Sequence, residues 1–139
     1  MNDDFVSASV RHAMDSRHLL EAGRQDNAGY LAGYAVECAL KAVIDLGGGR
    51  PQAYGHDLIA LSGTALDLAV LLCPGLRRYR SDRIPAIDVA AATWNPSLRY
   101  SRTGSLTHAQ ANQLVDAARE AFEGLVIPLI LDGRTEVPR

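Results

Sequence analysis

The 139-residue chain has two cysteines, Cys38 and Cys73, and both lie inside apolar segments. So low a count excludes a disulfide-stapled scaffold, and the pair reads as buried thiols of a reducing, cytoplasmic compartment. Neither cysteine has metal-ligand spacing around it, so no metal or other cofactor is expected. No apolar run reaches the length of a membrane span: the stretch from Val126 to Leu131 is short and contains Pro128. The acidic opening MNDDFVSASV is not a secretory leader. Internal repeats and low-complexity segments are absent, as is alternating strand periodicity. A net charge of −2 gives no global pull toward nucleic acid or an acidic membrane. Several chemistries are missing too. There is no phosphate-cradling Walker loop, no dinucleotide glycine fingerprint after a strand, no nucleophile elbow and no paired Glu-x-x-His.

What is present is helical. Residues 26–46, DNAGYLAGYAVECALKAVIDL, are apolar nearly all round, which belongs inside a protein. Ala28, Ala32, Ala35, Ala39 and Ala42 make a seam of small side chains that admits a close neighbour. Asp26 or Asn27 is expected to cap this helix, and Gly47-Gly48-Gly49 to end it. Its one polar stripe is Tyr30, Tyr34, Glu37 and Lys41, with glutamate and lysine in the favourable four-residue order. Tyrosine hydroxyls on such a helix need partners if buried, so the stripe is expected at an interface or the edge of a cleft.

Around it, a first helix is predicted from about Asp4 to Ala22, joined by so short a turn that the two pack antiparallel. His12 and His18 on it read as surface or edge residues. A third helix follows Asp57, with Leu58, Leu61, Ala65, Leu68 and Leu72 as its core face and Ser62-Gly63-Thr64 bending or splitting it. Pro85 opens a short fourth helix that Asn95-Pro96 closes. Residues 97–106 read as loop. The last helix starts at Thr107, where Thr107-His108-Ala109-Gln110 forms a capping box. Gly124 and Pro128 should end its regular part, leaving a frayed tail after Leu131. The expected fold is a single all-α domain over residues 1–139, with its core about 5–127. It is an up-and-down bundle of four main helices plus a short one. The alanine seam suggests a homodimer; if the seam faces only the chain's own helices, a dimer must use the fourth and fifth helices.

Charge is concentrated in one place. Between residues 77 and 102, Arg77, Arg78, Arg80, Arg83, Arg99 and Arg102 stand against Asp82 and Asp88, a local +4 on an acidic body. Arg99 and Arg102 immediately precede a helix start, where free amides also attract anions. An imidazole there, His108, can take a proton from a ribose hydroxyl while an arginine holds the phosphate.

The segment RQDNAGYLAGYAVECALKAVI, then Gly55-His56-Asp57-Leu58, then Leu98-Arg99-Tyr100 before an alanine-rich helix, resembles the HEPN (higher eukaryote and prokaryote nucleotide-binding) domain family. The resemblance covers about residues 5–127. It implies a helical bundle that dimerises. In such a family the chain would be a nucleotide- or RNA-binding module working with a partner such as a minimal nucleotidyltransferase, as in toxin–antitoxin pairs. Arg99, Tyr100, Arg102 and Thr107 would then contact nucleotide or RNA. The resemblance also implies an alternative, a metal-independent endoribonuclease using Arg102 and His108, whose five-residue separation fits that family's arginine-to-histidine spacing. A structural dimerisation bundle is the third reading.

Overall fold

The computed structural model describes residues 3–80 and 84–138, so Asp82 and Arg83 of the basic segment lie outside the described residues. Every regular element among those residues is helical. Helix α1 (Phe5–Glu21) is capped by Asp4, whose carboxylate accepts from the Ser7 amide at 2.9 Å. It ends at Gly23, whose φ of +77° lets the chain reverse directly into α2 (Gln25–Leu46). A three-residue reversal leaves α1 no course but to run antiparallel along α2.

Helix α2 is the axis of the bundle. Its alanine seam is buried throughout, together with Val36, Leu40, Val43 and Ile44. The seam meets the chain's own helices rather than a second copy. Ser9 of α1 comes close enough to donate its hydroxyl to the Ala35 carbonyl at 2.8 Å. On another side of α2, Ala111, Ala117, Ala118 and Ala121 of α6 (His108–Ala121) are equally buried. Two alanine-lined helices approach closely because no side chain holds them apart. The alanine pattern therefore serves the internal bundle.

The third predicted helix is split as its sequence suggests. α3 (Leu58–Ala60) and α4 (Leu66–Leu72) are joined by a π turn over Leu61–Ala65, which contains Ser62-Gly63-Thr64. Asp57 caps α3, accepting from the Ala60 amide at 3.0 Å. Helix α5 (Pro85–Thr93) starts at its proline and packs on α2 and α6. The capping box at Thr107 is complete: the Gln110 amide donates to the Thr107 hydroxyl at 3.1 Å, and the Thr107 amide to the Gln110 side chain at 2.9 Å.

Two expectations at the ends need correction. Asp26 and Asn27 do not cap α2; the residue at that position is Arg24, without a side-chain bond to the helix amides. Nor do Gly124 and Pro128 end the last helix. A π turn over Phe122–Val126 carries the chain into α7 (Ile127–Leu131), with Pro128 in its first turn, where a missing amide costs least. Beyond Leu131 the chain is tied rather than frayed: the Arg134 amide donates to the Leu129 carbonyl at 2.9 Å. Asp132 accepts from the buried Tyr79 hydroxyl and from Arg78 Nε, the latter at 3.2 Å. Residues 97–106 are also not wholly loop, since Pro96–Tyr100 form a 3-10 turn capped by Asn95.

Candidate functional site: the polar stripe of the central helix

The stripe on α2 is where distant parts of the chain converge. Glu37 is 3% exposed and Lys41 7%, so both charges are inside the protein. Lys41 Nζ lies 3.3 Å from one carboxylate oxygen of Glu37. The other oxygen receives His56 Nδ1 at 2.8 Å. His56 arrives on the segment between the 3-10 turn Pro51–Tyr54 and α3, where Gly55 reverses the chain at φ +55°. Burial of a carboxylate is tolerated here because both its oxygens are occupied by donors.

One turn back, Tyr34 is ringed by aromatic groups. Tyr30, Trp94 and His56 meet it edge-on at centroid distances of 5.1, 5.0 and 5.6 Å, and His12 of α1 lies 6.1 Å away. Edge-to-face contacts of this kind fix ring planes. Burial, reinforced by the Tyr30 hydroxyl 3.4 Å away, pushes the Tyr34 phenol up to about 12, so it stays neutral. Burial also lowers His12, helped by Arg11. Trp94 closes α5 and donates its indole N–H to the Tyr30 carbonyl at 3.0 Å. Further out, Arg99 Nε donates to the Tyr30 hydroxyl at 2.8 Å. Its guanidinium carbon stands 5.7 Å from the Tyr30 ring and 5.6 Å from that of Tyr100. Tyr100 is 82% exposed.

Of the residues the sequence put forward, Tyr30, Tyr34, Glu37, Lys41, Arg99 and Tyr100 thus fall along one continuous array. The start of α6 contributes less than expected. Thr107 spends its hydroxyl on the cap, and the Arg102 and His108 side chains are exposed and join none of these contacts. His56 and Trp94 were not put forward as site residues by the sequence, His12 read as a surface or edge residue, and Asp26 as a helix cap. Instead of capping α2, Asp26 accepts from the amides of Gly104 at 2.8 Å and Leu106 at 3.1 Å, tying the loop before α6 to the start of α2.

Those amide bonds, Gly104 first and then Leu106, hold the Asp26 carboxyl below its usual 3.8. A depressed folded-state value stabilises the protein above the unfolded value and stops doing so as pH falls through the folded one. Asp26→Ala is therefore expected to cost roughly 1 kcal/mol at neutral pH. The gap to wild type should close as pH drops below 3.8. Urea unfolding across that range checks it, and a gap unchanged in acid would contradict the assignment.

Cys38 is buried beside the stripe on this helix, and burial pushes its thiol up to about 12. Among the described residues no three His, Cys, Asp or Glu side chains come together as a metal-binding group, and no helix is long and apolar enough to cross a membrane. No protein-family model, curated protein or solved structure matches the chain.

Proposed function

We propose that the chain is a HEPN-type module that binds single-stranded RNA or nucleotides, acting as a homodimer and with a partner such as a minimal nucleotidyltransferase. The observation that carries the binding reading is the Tyr30–Arg99–Tyr100 arrangement. A guanidinium fixed by a hydrogen bond to Tyr30 is oriented before any ligand arrives, and its planar fork of donors suits two oxygens of one phosphate. The exposed ring of Tyr100 beside it offers a face on which a base can stack. Stacking aromatic and phosphate-binding arginine side by side are the two elements with which proteins hold unpaired strands. Arg102, exposed three residues beyond Arg99, adds a second positive charge to the same stretch. With the alanine seam occupied internally, the homodimer would use the fourth and fifth helices, α5 and α6.

Anisotropy titration of a short single-stranded RNA tests the site. Tyr100→Ala is expected to lose roughly 1–3 kcal/mol of affinity through stacking. Arg99→Ala combined with Arg102→Ala should weaken binding and flatten its salt dependence by about one counterion per lost phosphate contact. Wild-type affinity in the double arginine variant removes the site. Sedimentation of the same sample reads the dimer directly, since a 14.9 kDa species at micromolar concentration would be a monomer.

A further inference from the structure

We propose that the groove between α1 and α6 is a docking site for a basic amphipathic helix of a partner protein. This does not rest on the RNA-binding reading, because the groove opens on another face of the bundle.

Helices α1 and α6 both pack on α2 and leave between them a cleft of about 600 Å³. From α1 it is lined by Val10, Ala13, Arg17 and Leu20. From α6 and the π turn that continues it come Asn112, Val115, Arg119 and Phe122. Both sets step by three, four and three residues. That is the heptad spacing by which one helix seats along another. Two such seams side by side receive a further helix, as in a helical bundle or a helix-in-groove complex. Each seam rises about 15 Å, close to three turns of an incoming helix.

The side chains on α1 are arranged as for a covered face. Ser9 and Ser16 point inward, 1% and 0% exposed, while Met14 in the groove is 57% exposed. Val10, Leu20 and Phe122 are only half-buried. Serines inside and large apolar groups outside invert the usual order, and such a patch marks an interaction surface. Methionine adapts its shape to whatever docks on it.

The charges around this floor set the sign of the occupant. Glu21, Asp116 and Glu123 border the groove against Arg17 and Arg119. Both arginines are engaged already, Arg17 with Glu21 at 3.1 Å, and Arg119 with Glu123 at 3.4 Å and Asp116 at 3.8 Å. Two guanidiniums thus serve three carboxylates, each more than half exposed and with acceptor positions open. The rest of the chain has the same sign, since residues 77–102 carry +4 of a net −2 and leave −6 elsewhere. Lysine or arginine beside the apolar face of an incoming helix meets attraction on both rims, and acidic residues meet repulsion. The same excess disfavours a second copy of this chain, which would set three carboxylates against three. His12, which reaches Tyr34 on the polar stripe, lies two residues from both Val10 and Met14, roughly 200° around α1. A docked helix therefore leaves that stripe open.

The test uses the full chain and a synthetic peptide of about three heptads, leucine at positions a and d and lysine at e and g. A twin carries glutamate in place of lysine. Anisotropy at nanomolar labelled peptide is expected to show saturable binding of the lysine peptide and about tenfold or weaker affinity for the twin. Met14→Glu puts a charge on the groove floor at an exposed position. It should keep the wild-type melting transition and weaken the lysine peptide by about tenfold or more. Glu21→Lys combined with Glu123→Lys should reverse the preference between the peptides. Asp45→Lys changes an exposed charge outside the groove and should leave both affinities as in wild type. A lysine peptide that does not bind, that binds no better than its twin, or that binds Met14→Glu as tightly as wild type overturns the proposal. So does a wild-type dimer in sedimentation that Met14→Glu converts to monomer, since the groove would then belong to a second copy.

Discussion

Gly33→Ala is expected to destabilise the protein by about 2 kcal/mol, although the same exchange inside an exposed helix stabilises by about 1 kcal/mol. Gly33 sits mid-way along α2, where its backbone has ordinary helical angles and needs no glycine for conformational reasons. What it needs is space. A methyl group built there would lie inside the Trp94 indole. That ring cannot simply swing aside, because its N–H is bonded to the Tyr30 carbonyl at 3.0 Å and it meets Tyr34 in a T-shaped contact. Displacing it shifts the residues that orient Arg99 as well as the core. Two other glycines provide controls. At Gly29 the added methyl meets Leu106, the flexible end of a loop side chain, so a smaller loss is expected. Gly63 faces open space in its π turn, and alanine there should be neutral or mildly stabilising. Trp94 is the only tryptophan, so its emission reports the same event: Gly33→Ala should red-shift it, and Gly63→Ala should not. Stability in Gly33→Ala equal to or above wild type would show that the helix and ring do not meet as described.

These residues mark where a sequence is legible and where it is not. Helical period alone located α1, α2, α6 and the split third helix, because each buries a face whose residues recur every three or four positions. Capping at Asp57 and Thr107 was readable because donor and acceptor are three residues apart. The alanine seam was readable as a close-contact surface, but small residues look alike whether the neighbour is α1, α6 or another chain. Asp26 was misassigned for a related reason. An aspartate near a helix start suits a cap, yet its two amide partners lie 78 and 80 residues away. His56, Trp94 and Arg99 reach α2 across separations of 19, 64 and 69 residues, and no local pattern encodes such meetings. Gly124 and Pro128 misled in the opposite direction. Both are ordinary helix breakers, but a π turn absorbs the irregularity and lets α7 continue the line. The stripe of Tyr30, Tyr34, Glu37 and Lys41 was visible as an oddity on an apolar helix. Its partners were not.

Glu37→Ala is expected to cost about 3–5 kcal/mol, the range for breaking a buried ion pair from one side. The cause is less the loss of attraction than what remains. Lys41 is 7% exposed, and without Glu37 the favourable neighbour left to its ammonium among the described residues is the Phe5 ring, 6.0 Å away. An ammonium that cannot reach water must deprotonate or open the packing around α1 and α2, and either costs free energy. Glu37→Leu together with Lys41→Met replaces the pair by apolar groups of similar volume and should recover most of that loss, because no charge is then stranded. Urea unfolding of the two single variants and the double variant gives the coupling directly. A near-wild-type double variant with strongly destabilised single variants is the expected pattern. If Glu37→Ala falls within about 0.5 kcal/mol of wild type, as exposed substitutions do, the pair is effectively solvated and Glu37 is not a fixed anchor for His56. The double variant also separates stability from site geometry. It should fold well and yet leave His56 without its hydrogen-bond acceptor, so a stable bundle with a freely rotating imidazole is the outcome that distinguishes what Glu37 does for the fold from what it does for the site.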